Sequence, residues 1–194
     1  MTDRGLSSLY FQHLFSTEEM QQLFSDSGRI MAWLDVEAAL ARAEAACGLI
    51  PERAADSITE AASFDKLDID AMRKEYEKVG FPILPLVHQL AKVCDPEAAK
   101  FVHWGATTQD IIDTGLVLQM RDGLKLIEAD LDAIIGSLGR LCERHRNTPM
   151  AGRTFQQKAA PITFGFKVAV WLDELLRHRE RLPDLKRRAL MCQC

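Results

Sequence analysis

The chain has 194 residues, of which 47% are hydrophobic, and a formal net charge of −4. This length suits one or two domains, and the mixed, slightly acidic charge lacks the basic patch expected of a nucleic-acid-binding protein. The sequence has neither the basic-then-apolar stretch of a signal peptide nor an apolar run of the roughly 18 residues needed for a membrane span. These features predict a cytoplasmic protein.

The first part of the chain has the pattern of short amphipathic helices. Ser16 and Glu19 form a capping-box pattern at the start of one helix. Asp26 or Ser27 can cap a second helix, which is rich in alanine and carries a stripe of large apolar residues, namely Ile30, Trp33, Leu34, Val36 and Leu40.

Glycine and proline divide the next segments. Gly48 lies where a helix C-cap glycine is expected, and Pro51 opens a third helix that runs to about residue 62. A further helix follows Asp68 and stops at Gly80. Residues 81–87 contain two prolines among apolar residues, which indicates a loop or a helix start.

From residue 109 to residue 146 an apolar stripe continues without proline, which predicts one helix roughly 50 Å long at 1.5 Å per residue. Four glycines interrupt it, each at a cost of about 1 kcal/mol against alanine. We expect a neighbouring helix to approach closely at these positions, which are Gly115, Gly123, Gly136 and Gly139.

Another long helix is predicted from near Thr163, with a kink at Pro183, and its apolar pattern still continues when the sequence ends at Cys194. We therefore expect a truncated chain. Strand signals are weak. The predicted fold is all-α: a small helical N-terminal domain over residues 1–108, followed over residues 109–194 by the first long helices of a central bundle.

The cysteines and most of the histidines show no motif spacing. Cys47, Cys94 and Cys142 are expected to be buried free thiols, and the pair Cys192 and Cys194 is taken as incidental because no other metal ligand lies near it. We expect no metal site. Four of the five histidines are assigned structural or surface positions: His13, His88, His145 and His178.

The first polar interruption between helices spans residues 102–110. It combines an imidazole, an indole, hydroxyl groups and an amide with the start of a helix: His103, Trp104, Thr107, Thr108 and Gln109. Hydroxyl and backbone N–H groups at a helix start can bind a carboxylate or phosphate. The alternative is that the threonines and Asp110 only cap the long helix, with Thr108 as the cap, and that His103 is structural.

The second polar interruption spans residues 150–161. Arg153 can bind a carboxylate through two parallel hydrogen bonds, Gln157 offers a donor and an acceptor, and Lys158 can donate a proton. The alternative is an ordinary surface loop.

Together the two segments resemble the first two signature regions of the superfamily that holds fumarase, aspartase, argininosuccinate lyase, adenylosuccinate lyase and 3-carboxy-cis,cis-muconate cycloisomerase. The first is the run from Val102 to Asp110. The second is Gly152-Arg153-Thr154, then Gln157 and the run from Pro161 to Gly165. The run from Trp33 to Leu40 is similar to the adenylosuccinate lyase and cycloisomerase branch.

The resemblance implies a homotetramer around long helices, with active sites built from several subunits and without a metal or organic cofactor. Members typically make or break a C–N or C–O bond beside a carboxylate. The resemblance assigns substrate binding to Trp104, Thr107, Thr108, Gln109, Arg153, Thr154 and Gln157, and a catalytic role to His103 and Lys158. A third signature, a flexible Gly-Ser-Ser loop, would lie beyond Cys194.

Three departures bear on the member of the superfamily. Adenylosuccinate lyases are expected to have histidine after the Arg-Thr pair and in a motif before the first region, but here the residues are Phe155 and a stretch from Val79 to Val87 without histidine. Both features are similar to the cycloisomerases. These usually have histidine where Lys158 stands, which leaves the proton donor open.

The sequence thus predicts an enzyme that converts 3-carboxy-cis,cis-muconate, or a close substituted muconate, to a muconolactone in the degradation of aromatic compounds. Adenylosuccinate lyase or another C–N lyase is the enzymatic alternative. A non-catalytic helical fragment is the alternative from a different class. Small-molecule dicarboxylates or tricarboxylates are the expected partners, and nucleic acid and membrane are not.

Overall fold

The computed structural model describes residues 14–193, so His13 and Cys194 lie outside the described residues. Within this range the chain forms seven α-helices and one two-stranded antiparallel sheet. The elements fall into two compact units, which are residues 14–123 with 190–193 and residues 124–189. Among the described residues, no helix is long and apolar enough to cross a membrane.

The first unit is built from five helices and the first part of a sixth. They are α1 (Glu18–Leu23), α2 (Asp26–Ala46), α3 (Glu52–Ala61), α4 (Ile69–Val79), α5 (Ile83–Val93) and α6 (Thr108–Arg144). The apolar faces of α2 to α6 meet in one core, whose most deeply buried side chains include Leu34, Ile58, Ile83, Leu86 and Leu90.

The caps of the first helices differ by a residue or two from those predicted. Thr17, not Ser16, caps α1, because its hydroxyl oxygen accepts from the N–H of Met20 at 3.3 Å. Ser25 caps α2 in place of Asp26 or Ser27, and its hydroxyl oxygen accepts from Gly28 at 3.0 Å. Such shifts arise because neighbouring polar residues are equally good caps in sequence.

The other helix boundaries agree with the prediction. Pro51 precedes α3, Asp68 caps α4 through the N–H of Ala71 at 3.0 Å, and Gly80 ends α4 with a φ of 73°. The stretch with two prolines is the start of α5, which begins at Ile83.

The second unit holds the rest of α6, the strands β1 (Pro149–Thr154) and β2 (Gln157–Thr163), and α7 (Phe164–Ala189). The segment predicted as a polar loop is therefore a β-hairpin. Pro183 lies inside α7. Ion pairs join α6 to α7, including Arg179 with Asp132 at 2.8 Å and Lys186 with Glu128.

The glycines of α6 behave differently along the helix. A Cβ at Gly115 would lie 2.6 Å from Cδ1 of Trp33, so α2 and α6 approach there as predicted. At Gly123 a Cβ would make ordinary contacts with α1. At Gly139 no described atom lies within 4 Å of that position, and at Gly136 the nearest is the Arg140 side chain.

The cysteines are free thiols where they are described. Cys94 is buried, as predicted, and burial raises the pKa of its thiol. Cys47 is exposed and Cys142 half-buried, so burial was wrongly predicted for Cys47, which lies just past the end of α2.

Candidate active site

The loop before α6 is fixed to the first unit by a hydrogen bond between an imidazole and a buried carboxyl group. Nδ1 of His103 lies 2.6 Å from Oε1 of Glu37, whose side chain is fully buried on α2. His103 has a φ of 59° and Gly105 a φ of 69°. These left-handed conformations turn the chain sharply between Val102 and the start of α6, and the hydrogen bond to Glu37 holds the turn in place.

Three acidic side chains surround the histidine. The pKa of His103 is raised, mainly by its hydrogen bond to Glu37 and also by the charges of Asp110 and Glu44. The pKa of the Glu44 carboxyl is raised above its ordinary value by burial and then by the charge of Glu37. Both shifts favour the protonated forms, which are the imidazolium of His103 and the uncharged carboxyl of Glu44.

The start of α6 has its own hydrogen bonds. The backbone N–H of Thr107 donates to the Asp110 carboxylate at 2.8 Å, and the helix begins at Thr108. The Gln109 amide donates to Asp113 at 2.6 Å. Thr108 is therefore the first residue of the helix and not its cap, because Thr107 precedes it and Asp110 accepts from the Thr107 N–H. One of the free N–H groups at the helix start is thus already hydrogen-bonded within the chain.

Trp104 is the aromatic part of this loop. Its side chain is half exposed, and its ring lies 5.8 Å from that of Phe101. In the first unit the structure therefore brings together five of the predicted residues, all in the loop or the first turn of α6: His103, Trp104, Thr107, Thr108 and Gln109.

The hairpin of the second unit carries the other predicted residues. Arg153 lies opposite Lys158, and Thr154 opposite Gln157. Directly opposed residues point to the same face of an antiparallel pair, and adjacent pairs alternate faces. Arg153 and Lys158 therefore share one face of the hairpin, and Thr154 and Gln157 share the other.

Two positive charges directly opposite each other disfavour the hairpin unless an anion lies between them. Both side chains are exposed, and the hydrogen bond recorded for the Arg153 guanidinium goes to the carbonyl of Gln156 at 3.4 Å. The arrangement is suited to binding a carboxylate by charge-assisted hydrogen bonds.

The tip of the hairpin is a two-residue turn formed by Phe155 and Gln156. Their φ values are 46° and 64°, which is the conformation of a type I′ turn and normally favours asparagine or glycine. The Phe155 side chain is 98% exposed. A bulky residue held in this conformation, with its ring in solvent, indicates a function other than folding of the hairpin.

The sequence motifs did not indicate Glu37 and Glu44 as residues of the candidate site. They lie seven residues apart on α2, among the buried side chains Trp33, Leu34, Ala38 and Ala41. A glutamate at a core position of an apolar stripe was the available signal. Among the described residues, no group of three or more His, Cys, Asp or Glu side chains is placed to hold a metal ion.

Comparison with known proteins gives the family. A family model described as "Lyase" matches residues 14–194. The chain belongs to this lyase family. It is 46% identical over 183 residues to 3-carboxy-cis,cis-muconate cycloisomerase of Pseudomonas putida, covering 93% of this chain and 43% of that protein. It is 41% identical over 177 residues to an adenylosuccinate lyase of Pyrococcus horikoshii, covering 91% of this chain and 39% of that protein.

A solved structure agrees with this membership. The crystal structure of 3-carboxy-cis,cis-muconate lactonizing enzyme from Pseudomonas putida matches with a TM-score of 0.90 at 45% identity, covering 96% of this chain and 43% of that one. The predicted fold class, a mostly helical portion of a fumarase/aspartase-type lyase, is confirmed. The chain spans less than half of the length of these members of the lyase family.

Proposed function

We propose that the complete protein is a cycloisomerase that converts 3-carboxy-cis,cis-muconate, or a close substituted muconate, to a muconolactone. One observation carries the proposal: the chain aligns over 93% of its length with a cycloisomerase of this name. The opposed cations Arg153 and Lys158 support it, because such a pair is suited to binding an anionic substrate. A substrate with several carboxylates matches that charge.

The reaction is an isomerisation of the free acid; with ionised carboxylates, the attacking carboxylate becomes the uncharged lactone ester and one proton is taken up, finally from water. A carboxylate oxygen of the substrate adds to a carbon of one double bond, and a proton is added to the adjacent carbon, beside another carboxylate. Negative charge accumulates on that second carboxylate before the proton arrives, and preorganised donors lower the energy of this state.

In this proposal the donors come from both regions. Substrate carboxylates bind Arg153 and the hydrogen-bonding groups at the start of α6 and on the hairpin, which are Thr107, Thr108, Gln109, Thr154 and Gln157. Trp104 and His103 line the pocket. Lys158, on the same hairpin face as Arg153, is the proposed proton donor.

The proposal includes a homotetramer in which one active site takes residues from several copies. Apolar side chains that stay exposed in the described chain support it. On α6 they recur every seven residues, at Met120, Ile127, Ile134 and Leu141, which is the spacing of a helix-packing seam. On α7 they include Phe166, Val170 and Trp171.

Membership of the superfamily implies the remaining parts of the proposal, a cytoplasmic enzyme that uses no metal or organic cofactor. The aromatic Phe155 after Arg153 and Thr154 favours a muconate over adenylosuccinate, for which a histidine is expected there.

The test is ultraviolet-monitored turnover by the complete protein, with 3-carboxy-cis,cis-muconate and adenylosuccinate assayed side by side. We expect the muconate absorbance to disappear and a lactone to form. Turnover of adenylosuccinate alone would replace the proposal with the C–N lyase. Inactivity toward both, from a folded and assembled protein, would contradict both substrates.

A further inference from the structure

The side chain of Glu37 is a carboxylate in the core of the first unit. Its exposed fraction is 0%, and its Oε2 atom has no hydrogen-bond partner among the residues that the structure describes. A buried carboxylate without compensation costs several kcal/mol, so such a group is kept only where a charged partner offsets the cost. That partner is His103, 66 positions away in the sequence.

The geometry of the contact fixes one nitrogen of the ring. Because a buried carboxylate can only accept, Nδ1 of His103 carries the proton in the 2.6 Å hydrogen bond. The His103 side chain is 18% exposed, whereas its partner is fully buried. Nδ1 is therefore directed into the protein, and Nε2 is the nitrogen left to meet a ligand.

The surrounding charges act in one direction. Glu37 and Glu44 face the imidazole from α2, and Asp110 faces it from α6. All three are acidic, and the pKa of His103 is raised accordingly. The pKa of Glu44 is itself raised by burial and by the charge of Glu37.

We propose that Glu37 is a positioning residue, which holds His103 in the loop before α6 as an imidazolium whose Nε2–H binds a carboxylate of the substrate. His103 then serves as a cationic anchor and not as a base. The substrate part of this inference rests on the proposed function; the charge state and orientation of His103 do not.

The charge state is measured by nitrogen NMR of the complete protein with labelled histidine, and His103→Asn assigns the signal. At pH 7 we expect both ring nitrogens of His103 to carry protons. A neutral ring at pH 7 would overturn the proposal, and this result needs no variant at Glu37.

The role of Glu37 is measured by the pH midpoint of the same signal in Glu37→Gln, which keeps the shape and an accepting oxygen but removes the charge. We expect a fall of at least about one pH unit, which is a tenfold loss of proton affinity. Glu37→Asp, which keeps the charge, should restore most of it. An unchanged midpoint in Glu37→Gln would overturn the proposal.

The chain offers a matched control. Oε1 of Glu75 also lies 2.6 Å from Nδ1 of a histidine, His88, but both side chains are partly exposed. Glu75→Gln should leave the His103 midpoint and the turnover unchanged. Glu44→Gln, which leaves the Glu37 contact intact, should lower the His103 midpoint by less than Glu37→Gln does.

Turnover separates this inference from the proposed function. In an active enzyme, Glu37→Gln should raise KM more than it lowers kcat, and should move the alkaline limb of the pH profile to lower pH. Unchanged kinetics beside a shifted midpoint would overturn the anchoring role. If the complete protein turns over no muconate, the proposed function fails while the NMR midpoints still decide the role of Glu37.

Discussion

Compare the loop of residues 103–110 with the hairpin of residues 149–163, the two segments that carry the candidate site. In the loop, His103, Thr107 and Gln109 each have a partner within 2.8 Å in their own unit. In the hairpin, the side chains of Arg153 and Lys158 are exposed on one face. The loop is held by contacts within its own unit, whereas the hairpin presents two cationic side chains to solvent on one face.

The difference follows from where each segment attaches. The loop lies against α2, where the buried Glu37 side chain contacts His103 and the buried Glu44 side chain lies beside Gly105. The hairpin is held at its base, where Phe164 donates to Thr148 at 2.8 Å and its ring packs against that of His145, 5.1 Å away. Substitutions in the hairpin should therefore change binding, whereas those beneath the loop should also change stability.

The largest effect on turnover is expected from Arg153→Ala. Losing a charge-assisted contact to a substrate carboxylate costs about 3 kcal/mol, or roughly 100-fold in kcat/KM. Because the side chain is exposed, the free energy of unfolding should change by less than about 0.5 kcal/mol. The control is Arg73→Ala, an exposed arginine on α4 paired with Asp70 at 3.7 Å. Equal activity of the two variants would refute the role of Arg153.

The largest effect on stability is expected from Gly115→Ala. The new methyl group would lie 2.6 Å from the buried Trp33 ring, so we expect a loss of about 1–3 kcal/mol in the free energy of unfolding. Denaturant unfolding measures it. Unimpaired stability would show that α2 and α6 are less tightly packed than described.

Gly139→Ala sharpens the same contrast, because no described atom lies within 4 Å of the added group. If no other copy packs there, helix propensity predicts a gain of up to about 1 kcal/mol. Under the proposed tetramer, we expect weaker assembly instead, as measured by light scattering. A gain in stability with unchanged assembly would exclude a helix-packing contact at this position.

The pH dependence of stability should report on the cluster beneath the loop. The raised pKa of His103 contributes stability that is complete below its ordinary value of 6.5 and is lost as pH rises through the folded value. The raised pKa of Glu44 acts in the same sense, from its ordinary 4.5 upward. We expect thermal stability to fall with pH over these ranges. His103→Asn should reduce the fall of thermal stability with pH in the range above 6.5, and Glu44→Gln should reduce it in the range above 4.5. The same pH dependence in both variants as in the wild type would contradict the account.

The smallest effect is expected at the hairpin tip. Phe155→Asn places a residue suited to a φ of 46° in the turn, so the free energy of unfolding should rise by up to about 1 kcal/mol. Turnover should fall, because the exposed ring is lost. Gln156→Gly is the matched control: it relieves the other turn position, with its φ of 64°, and leaves the ring in place. Equal turnover in the two variants would show that Phe155 has no role in the reaction.

The helices could be predicted because their apolar periodicity, caps and glycines are local signals. Asp68 and Gly80 predicted the ends of α4, and the long apolar stripe predicted the ends of α6, to within a residue or two. The hairpin could not be predicted, because most of its side chains are exposed and its turn is formed by Phe155 and Gln156, which are not residues typical of such turns.

The sequence pointed to the two polar segments of the candidate site but not to the buried glutamates beneath the first of them. His103 could be chosen from its loop, but its partner Glu37 is a tertiary contact that no spacing reveals. Glu37 and Glu44 stand at positions of α2 where apolar residues are expected, and this mismatch with the apolar pattern is the local sign of a buried charged residue.

The claim that both regions serve one substrate, contributed by different copies of the chain, is tested most directly by mixing two variants of reduced activity. The complete protein carrying His103→Asn and the one carrying Arg153→Ala are unfolded, combined, refolded and assayed with 3-carboxy-cis,cis-muconate. We predict that the mixture regains a measurable part of the wild-type turnover, because some assembled sites take both regions from unsubstituted copies. A mixture that forms hybrid assemblies but turns over the substrate no faster than its components would contradict the claim.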